Sequence, residues 1–231
     1  MGTFQELNPV SIIIPTLNAA EALITLLAEL YRSTIVNEVV VVDGGSSDDS
    51  VSVARAANAR VIAASRGRGT QLAAGAAAAT GHWLLFLHAD CRLEAGWETA
   101  VRVFLASPDA HRRAGYFDFA LDDVAPAARR LERIVAWRCR VLGLPYGDQG
   151  LLVSRGLYDE IGGFAPLPLM EDVDLARRIG RARLARIPIR CVTSARRYRS
   201  EGYFRRPARN LLCLLLYFAC VPPDRIVRLY G

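Results

Sequence analysis

Two acidic side chains stand where apolar runs end. The run EVVVVD finishes on Asp43, and HWLLFLH is followed by Ala89 and Asp90. Short continuous apolar runs read as strands buried on both faces. In an open parallel sheet, ligands bind beyond the carboxyl ends of the strands. Both carboxylates are therefore expected at one edge, beside Pro15-Thr16-Leu17-Asn18, which closes the run VSIIIP. An acid ending a buried strand is costly without a partner. Turn chemistry at Ser46, Ser47 and Asp48 competes as an explanation, but two acids at one edge favour a ligand.

A third acidic cluster, Met170-Glu171-Asp172-Val173-Asp174, opens a segment of helical period. Acids in a first helical turn ordinarily complement the macrodipole, which accounts for Asp174. The segment before them, Gly162-Gly163-Phe164 through Leu169-Met170, is apolar and glycine-rich. A carboxylate held against such a low-dielectric wall suits a catalytic base. The first turn, P-T-L-N, lacks the G-x-G-x-x-G that lets a backbone approach a dinucleotide pyrophosphate. Gly67-Arg68-Gly69 lacks the third glycine and precedes a later helix. An NAD site is thus rejected, and phosphate has to be held by a divalent cation on carboxylates or by arginines.

The elements that must position these groups alternate. Strands are predicted at Val10–Pro15, Glu38–Asp43, Arg60–Ala64 and His82–His88, with helices at Ala19–Tyr31, Asp49–Ala57 and Arg68–Thr80 between them. Ser46–Asp49 offers caps for the second helix. This is the βαβ pattern of a parallel sheet. After about residue 110 the pattern changes: a strand at Gly115–Leu121, a helix at Ala127–Leu142, a short strand at Gln149–Val153 and a turn at Gly162–Gly163. A helix at Glu171–Arg183, a strand at Leu184–Val192 and a last helix over 203–221 follow. No Pro-, Ser- or Gly-rich linker interrupts the chain. The expectation is an α/β fold in one domain with two halves, about 1–110 and about 111–231.

Composition narrows the chemistry. The chain has 231 residues, 52% hydrophobic and 23% charged, enough for a full core and too apolar for disorder. All 29 basic residues are arginine, which excludes a lysine Schiff base, a P-loop lysine and a kinase-type lysine. Five scattered cysteines without a C-x-x-C pair speak against a zinc site or disulfide framework and for a reducing compartment. The N-terminus MGTFQELNPV has no basic n-region of a signal peptide, so the expected location is cytoplasmic. Between Arg177 and Arg209 lie twelve arginines and one acid, Glu201, a local charge of +11 that leaves −5 for the rest of a chain of net +6. Such a block suggests an anionic partner, with a solvated basic face as the alternative.

The ordered motifs SIIIPTLN, EVVVVDGGSSDDS, G-x-x-LLFLHAD and GGF-x(5)-MEDVDLARR resemble the inverting family 2 glycosyltransferases of GT-A fold. More narrowly, GRG-x-Q, LHAD, GDQG, MEDVDL and a C-terminal arginine-then-leucine helix resemble the small bacterial subgroup called rSAM/selenodomain-associated transferase 2. The resemblance covers nearly the whole chain. It implies a Rossmann-like, mostly parallel central sheet flanked by helices, with a mixed second half and a C-terminal helix. It implies that Pro15, Thr16 and Leu17 line the nucleobase and ribose pocket, that Asp43 hydrogen-bonds the base, uracil first, and that Arg68 and Gln71 sit near the ribose and diphosphate. Asp90 would match the metal-binding end of D-x-D, and Asp172 the catalytic base, with Glu171 beside it. The D-x-D position reads His88-Ala89-Asp90, so one carboxylate is missing. His88 would then pack near the ribose, or ligate a metal, where imidazole suits manganese better than magnesium. Asp148 and Gln149 of GDQG are the candidates for acceptor binding.

Transfer from a nucleotide sugar expels a nucleoside diphosphate whose charge a cation or arginines must absorb, while one carboxylate takes the acceptor's proton. The expected partners are a nucleotide-sugar donor, a divalent cation (Mn or Mg) and a small or lipid-linked acceptor. Nucleic acid is not expected, because no known motif frames Tyr198, Tyr203 and Phe204 among the arginines. A sugar nucleotidyltransferase would want a glycine- and arginine-rich first loop and a lysine. A non-enzymatic anion- or membrane-binding module would bind no nucleotide sugar. His82 and His111 have no chemical context. Leu211–Val221 is apolar on every face and about 16 Å long as a helix, roughly half of a 30 Å hydrocarbon core. It is either buried against the domain or shallowly inserted at the inner face of a membrane, with Arg196, Arg197, Arg199, Arg205, Arg206 and Arg209 on lipid headgroups.

Overall fold

The structure is a computed structural model that describes residues 10–230. The reading of the N-terminus, apart from Val10, lies outside these residues. In chain order the elements are β1 (Val10–Thr16), α1 (Ala20–Leu30), β2 (Val36–Asp43), α2 (Ser50–Ala56), β3 (Arg60–Ala63), α3 (Arg68–Ala78) and β4 (Trp83–Phe86). Next come β5 (Cys91–Leu93), α4 (Trp97–Leu105), β6 (Ala114–Leu121), α5 (Pro126–Leu142), β7 (Leu151–Ser154), α6 (Arg155–Glu160) and α7 (Glu171–Ile179). The chain closes with β8 (Leu184–Thr193), α8 (Arg196–Glu201), α9 (Arg205–Phe218) and α10 (Pro223–Tyr230).

All eight strands join one sheet in the order β3-β2-β1-β4-β7-β6-β8-β5. From β3 to β4 every pairing is parallel. Beyond β4 the sheet is mixed: β7 runs antiparallel to both β4 and β6, β6 and β8 are parallel, and β5 is antiparallel to β8. The expected parallel first half and mixed second half are both present.

The apolar runs fold as buried strands because alternate side chains feed opposite faces. Ile12, Ile14, Val39 and Val41 pack with Leu23, Leu26 and Leu27 of α1 on one face. Ile13, Val40 and Val42 pack with Leu72 and Ala76 of α3 on the other. The alanine-rich α3 sits close to the sheet: a Cβ at Gly75 would collide with the side chains of Ile13 and Val42.

Four expectations need correction. β5 and the amphipathic α4 occupy a stretch for which no element was expected. The helix predicted at Glu171–Arg183 stops at Ile179, because Gly180 takes φ 80° and breaks it. The helix predicted over 203–221 is α9 alone, with α8 and α10 on either side. Of the caps expected at Ser46–Asp49, Asp48 alone serves α2, its Oδ1 accepting from the Ser50 amide at 3.0 Å, while the N-cap Asp49 makes no side-chain cap bond. Asp48 Oδ2 also accepts from the Ala20 amide at 3.1 Å, and Ser50 Oγ from the Ala19 amide at 2.8 Å, so both cap α1 from across the sheet edge.

The C-terminal helix resolves its two alternatives in part. It is neither buried all round nor free. Cys213 and Leu214 of α9 pack with Leu144, Leu169, Met170, Val173 and Ile226, while Leu211, Leu212, Leu215 and Phe218 face solvent. Among the described residues, no helix is long and apolar enough to cross a membrane. Part of the basic block is neutralised by acids distant in sequence: Arg183 pairs with Glu160, Arg186 with Asp118, and Arg199 with Asp122 and Asp123, while Arg178 pairs with Asp174 one turn back on α7.

Candidate active site

The carboxyl ends of β1 and β2 are fastened to each other. Gln71, buried on α3, donates its side-chain amide to the carbonyls of Thr16 (2.9 Å) and Val42 (2.8 Å). Both hydrogens are used inside the protein, which corrects the expectation that Gln71 reaches a ribose or diphosphate through them. The two turns beyond the strands are also clasped. Asn18, at φ 50°, accepts from the Ser47 amide at 2.8 Å and donates its own amide to Ser46 Oγ at 2.9 Å. Asp43 accepts from the amides of Gly45 (3.0 Å) and Ser46 (3.1 and 3.2 Å). The turn explanation for Asp43 therefore holds, although Oδ1, which accepts from Ser46 alone, keeps a lone pair. Pro15 and Thr16 are buried and Leu17 is partly exposed along this edge.

Beyond β4 the chain leaves the sheet and delivers Leu87, His88, Ala89 and Asp90 to the same edge. His88 is partly buried, and Asp90 is exposed. Loss of water around the ring, then the charges of Arg68 and Arg197, push the His88 imidazole down to about 3. It is neutral at ordinary pH and offers a ring nitrogen. Arg68 Nη1 lies 3.4 Å from His88 Nε2. The guanidinium also ties the edge to α7, with Arg68 Nε 3.1 Å from Glu171 Oε1. Gly69 permits this approach, since a Cβ there would strike the carbonyl of Ala165 in the loop before α7. The G-R-G run is thus a packing device that brings Arg68 to Glu171.

That loop presents α7 as the apolar wall expected of it. Phe164 stacks edge-on against Phe86 at 4.9 Å between centroids, and its amide donates to Tyr158 Oη at 3.0 Å. Met170 then turns through φ 66°, uncommon for a side chain of its size. Glu171 is 1% exposed and neither carboxylate oxygen has a hydrogen-bond partner among the described residues. Burial pushes its carboxyl up to about 7, with the Arg68 charge opposing and Asp172 reinforcing. Asp172 accepts from the Gly147 amide at 2.8 Å through Oδ2 and from the Val173 amide at 2.7 Å through Oδ1.

The GDQG turn divides its two candidates. Asp148 faces the site: its Oδ1 is buried without a hydrogen-bond partner. Burial pushes its carboxyl up to about 6, with Asp172 and Asp90 adding to the shift and Arg138 and Arg68 opposing it. Gln149 points away and is 1% exposed. Its Nε2 donates to the Phe117 carbonyl at 3.0 Å, and its Oε1 accepts from Arg138 (3.1 Å), the Tyr146 amide (3.2 Å) and the Cys139 thiol (3.1 Å). Gln149 is therefore a structural hub, and its expected place at the acceptor is corrected. A buried amide whose partners come from β6 and α5 leaves no local sequence pattern to reveal it.

One cavity of about 110 Å³ gathers Arg68, His88, Asp90, Tyr146, Asp148 and Asp172. Its opposite wall was missed by the motif reading: Thr193 and Ser194 at the end of β8, with Arg197, Tyr198, Arg206 and Asn210. The only signal for them was the arginine block. Ligand atoms of His88, Asp90 and Cys91 lie within 4.8 Å of one another. Cys91 is buried beside Cys191, which together with the loss of water pushes its thiol well above the usual range. It is a protonated thiol, so the donor set that remains is a neutral imidazole and a carboxylate, with the orphaned oxygen of Asp148 in the same cavity. Nitrogen and oxygen donors of this kind fit manganese.

A curled mixed sheet flanked by helices, with acids and arginines at the carboxyl ends of its strands, is the architecture of the GT-A fold. Residues 11–110 match the family model described as Glycosyl transferase family 2. No curated protein matches the chain. Among solved structures, glucosyl-3-phosphoglycerate synthase from Mycobacterium tuberculosis, in complex with Mn2+, UDP and glucosyl-3-phosphoglycerate, is similar at TM-score 0.59 and 21% identity, covering 81% of this chain and 71% of that one. A mannosyltransferase from Pyrobaculum calidifontis, in complex with GDP-Man and Mn2+, has TM-score 0.63 and 20% identity, covering 89% and 61%. Mannosyl-3-phosphoglycerate synthase from Rubrobacter xylanophilus has TM-score 0.61 and 17% identity, covering 93% and 76%.

Proposed function

We propose that this chain transfers a sugar from a nucleotide-sugar donor, UDP-linked first, to an acceptor hydroxyl by a single displacement with inversion. The observation that carries the reading is the meeting of Arg68, His88, Asp90, Asp148 and Asp172 around one cavity at the sheet edge. Structures of similar fold that hold Mn2+ with UDP or GDP-Man support it. The nucleobase and ribose lie along Pro15, Thr16 and Leu17, with Asp43 accepting from the base. Arg68 faces the diphosphate. Asp90 and His88 hold a divalent cation, manganese before magnesium, with Asp148 alongside. Bound there, the cation supplies positive charge to the departing nucleoside diphosphate.

Asp172 takes the acceptor's proton. Its carboxylate is aimed by the Gly147 amide and sits on α7 beyond an apolar loop, so one group serves as the base of a single displacement. Glu171 acts behind it, holding Arg68. Single displacement needs one base, unlike the paired carboxylates of hydrolases. The chain works as a single transferase domain: a nucleotide-binding half to about residue 110 and an acceptor-binding half beyond it.

The reading extends to a cytoplasmic site of action at the inner face of a membrane. Phe204, 84% exposed, and Leu211, Leu215 and Phe218 recur at helical spacing along the outer side of α9, Leu215 being 57% exposed. Arg205, Arg225 and Arg228 stand exposed on α9 and α10. An apolar stripe with a cationic rim suits shallow contact with anionic lipid.

The deciding experiment is a thermal-shift and calorimetric screen of nucleoside diphosphates and nucleotide sugars with and without Mn2+. Stabilisation by UDP that Mn2+ strengthens is the expected result. No binding of any nucleotide under either condition overturns the reading.

A further inference from the structure

The helix α5 has two apolar sides. Ala128, Leu131, Val135 and Cys139 are buried and pack with Tyr116, Phe119 and Leu121 of β6. On the outer side Ile134, Trp137 and Val141 fall at i, i+3 and i+7, which makes one continuous stripe on a helix. Ile134 is 62% and Trp137 58% exposed, with Val141 and then Leu142 also open to solvent. The other two tryptophans, Trp83 and Trp97, are buried. Large apolar side chains grouped on one exposed face mark contact with a protein or a membrane.

The charge around the stripe selects between them. Arg130, Arg133 and Arg140 are exposed on α5, and none of them has an ion pair or a side-chain hydrogen bond among the described residues. Glu132, the one acid of α5, is taken by Arg129 and Arg190. Arg138 turns inward instead, its Nε on the Leu144 carbonyl at 2.9 Å and its guanidinium 3.4 Å from the centre of the Tyr146 ring. A second copy of the chain would set the same three arginines against each other across a two-fold contact. The stripe also offers a few hundred Å², short of the roughly 800 Å² that each partner brings to a stable protein interface. An anionic lipid surface needs no shape complementarity. It takes guanidiniums at its headgroups and a tryptophan ring at the boundary with the acyl chains.

We infer that α5 is a lipid-contacting helix in its own right: Trp137, flanked by Ile134 and Val141, enters the headgroup boundary of an anionic membrane, with Arg130, Arg133 and Arg140 on the lipid phosphates. The inference rests on the membrane reading of α9 and extends it to a second element. The two helices are neighbours. The buried side of α5 packs with Tyr198 of α8 and with Tyr203 just ahead of α9. Leu144, two residues past the end of α5, packs with Cys213 and Leu214 of α9 and Ile226 of α10. Each stripe alone is a shallow and reversible contact. Two such contacts on one folded body multiply, because the first holds the second at high effective concentration. Loss of either helix face therefore detaches the protein.

The test reads Trp137 directly, since Trp83 and Trp97 are shielded in the core. The full chain is mixed with vesicles of phosphatidylcholine and phosphatidylglycerol, with the same vesicles carrying brominated acyl chains, and with phosphatidylcholine vesicles alone. The expected result is a blue shift of tryptophan emission on the anionic vesicles and quenching by the bromines. Neither should occur on phosphatidylcholine, and both should reverse as salt rises. Trp137→Glu should partition onto the anionic vesicles about tenfold less or worse, the equivalent of half the burial of a large side chain. Arg133→Glu should weaken partitioning as well, and both positions are exposed, so circular dichroism should be unchanged. Vesicle binding with unaltered emission overturns the inference and leaves α9 as the contact. An equal shift on phosphatidylcholine overturns the part given to the arginines. A shift that follows protein concentration without vesicles, with a dimer in sedimentation, overturns it in favour of a second copy. Binding that survives Leu215→Glu and is lost in Trp137→Glu supports α5 and removes α9. No binding to any vesicle at low salt overturns both.

Discussion

The Gly147 amide points at Asp172 Oδ2 from 2.8 Å, and the Gly147 Cα faces the His88 ring so closely that a Cβ would stand 2.6 Å from Nε2. One glycine therefore sets the distance between the group assigned to the proton and a group assigned to the cation. Its φ is not in the left-handed region, so an alanine at 147 is opposed by the imidazole and not by the backbone. Gly147→Ala is expected to displace His88 and lower kcat/KM by about 10²-fold, the effect of a misplacement near 1 Å. Its thermal midpoint should stay close to wild type. Undiminished turnover would show that His88 can give way without cost.

Asp172→Asn keeps an oxygen for the Gly147 amide and removes the basicity. Turnover should fall by about 10²–10⁴-fold, the usual contribution of a general base, while UDP affinity barely changes. A variant that loses donor affinity and keeps its turnover at saturation would move Asp172 to the binding of donor.

Asp90 is exposed, so its side chain can be changed without opening the core. Asp90→Asn should abolish the enhancement of UDP binding by Mn2+, measured calorimetrically, and leave the far-ultraviolet circular dichroism unchanged. Equal Mn2+ enhancement in the variant would remove Asp90 from the cation.

Gln149→Leu strands the Phe117 carbonyl, the Tyr146 amide and part of Arg138 in the interior. Each buried polar group left without a partner costs about 1–3 kcal/mol, so a loss of about 2–4 kcal/mol is expected by urea denaturation. A loss well under 1 kcal/mol would mean that water replaces the amide.

Vesicles report on α9. Flotation with anionic vesicles should carry the protein at low salt and release it as salt rises, because charges beyond a Debye length are screened. Leu215→Glu, at an exposed position, should abolish flotation without altering UDP binding. A protein that stays with the soluble fraction at low salt leaves α9 with no lipid partner.

The strands β1, β2 and β4 were legible because burial on both faces writes itself as an unbroken apolar run, and the acids at their ends followed from the direction of a parallel sheet. The start of α7 was equally legible from its acids. What sequence could not carry was the pairing of side chains across long stretches of chain. Tyr203 donates to Asp123 at 2.7 Å and Arg199 bonds to the same carboxylate at 2.9 Å. Nothing in the arginine block announces that an acid from the β6–α5 turn will meet it. Gln71 and Gln149 were misread for the same reason: an amide beside a motif looks like a ligand contact until its strand carbonyls are known. The short β5 escaped because three residues show no period.

The amide of Gln71 spans the ends of β1 and β2, and the turns above it are clasped through Asn18. A donor's base and ribose therefore meet walls that are already in place before they arrive. Little conformational entropy is left to lose at this end of the site on binding, so contact energy there goes into affinity and not into ordering. The far wall is fastened in another way, by side chains on the single turn after β6: Asp122 takes the Ala195 amide at 2.6 Å, and Asp123 takes Arg199 at 2.9 Å and Tyr203 at 2.7 Å. The placement of α8 thus hangs on two neighbouring carboxylates, whereas the nucleotide end is held by backbone carbonyls that no substitution removes.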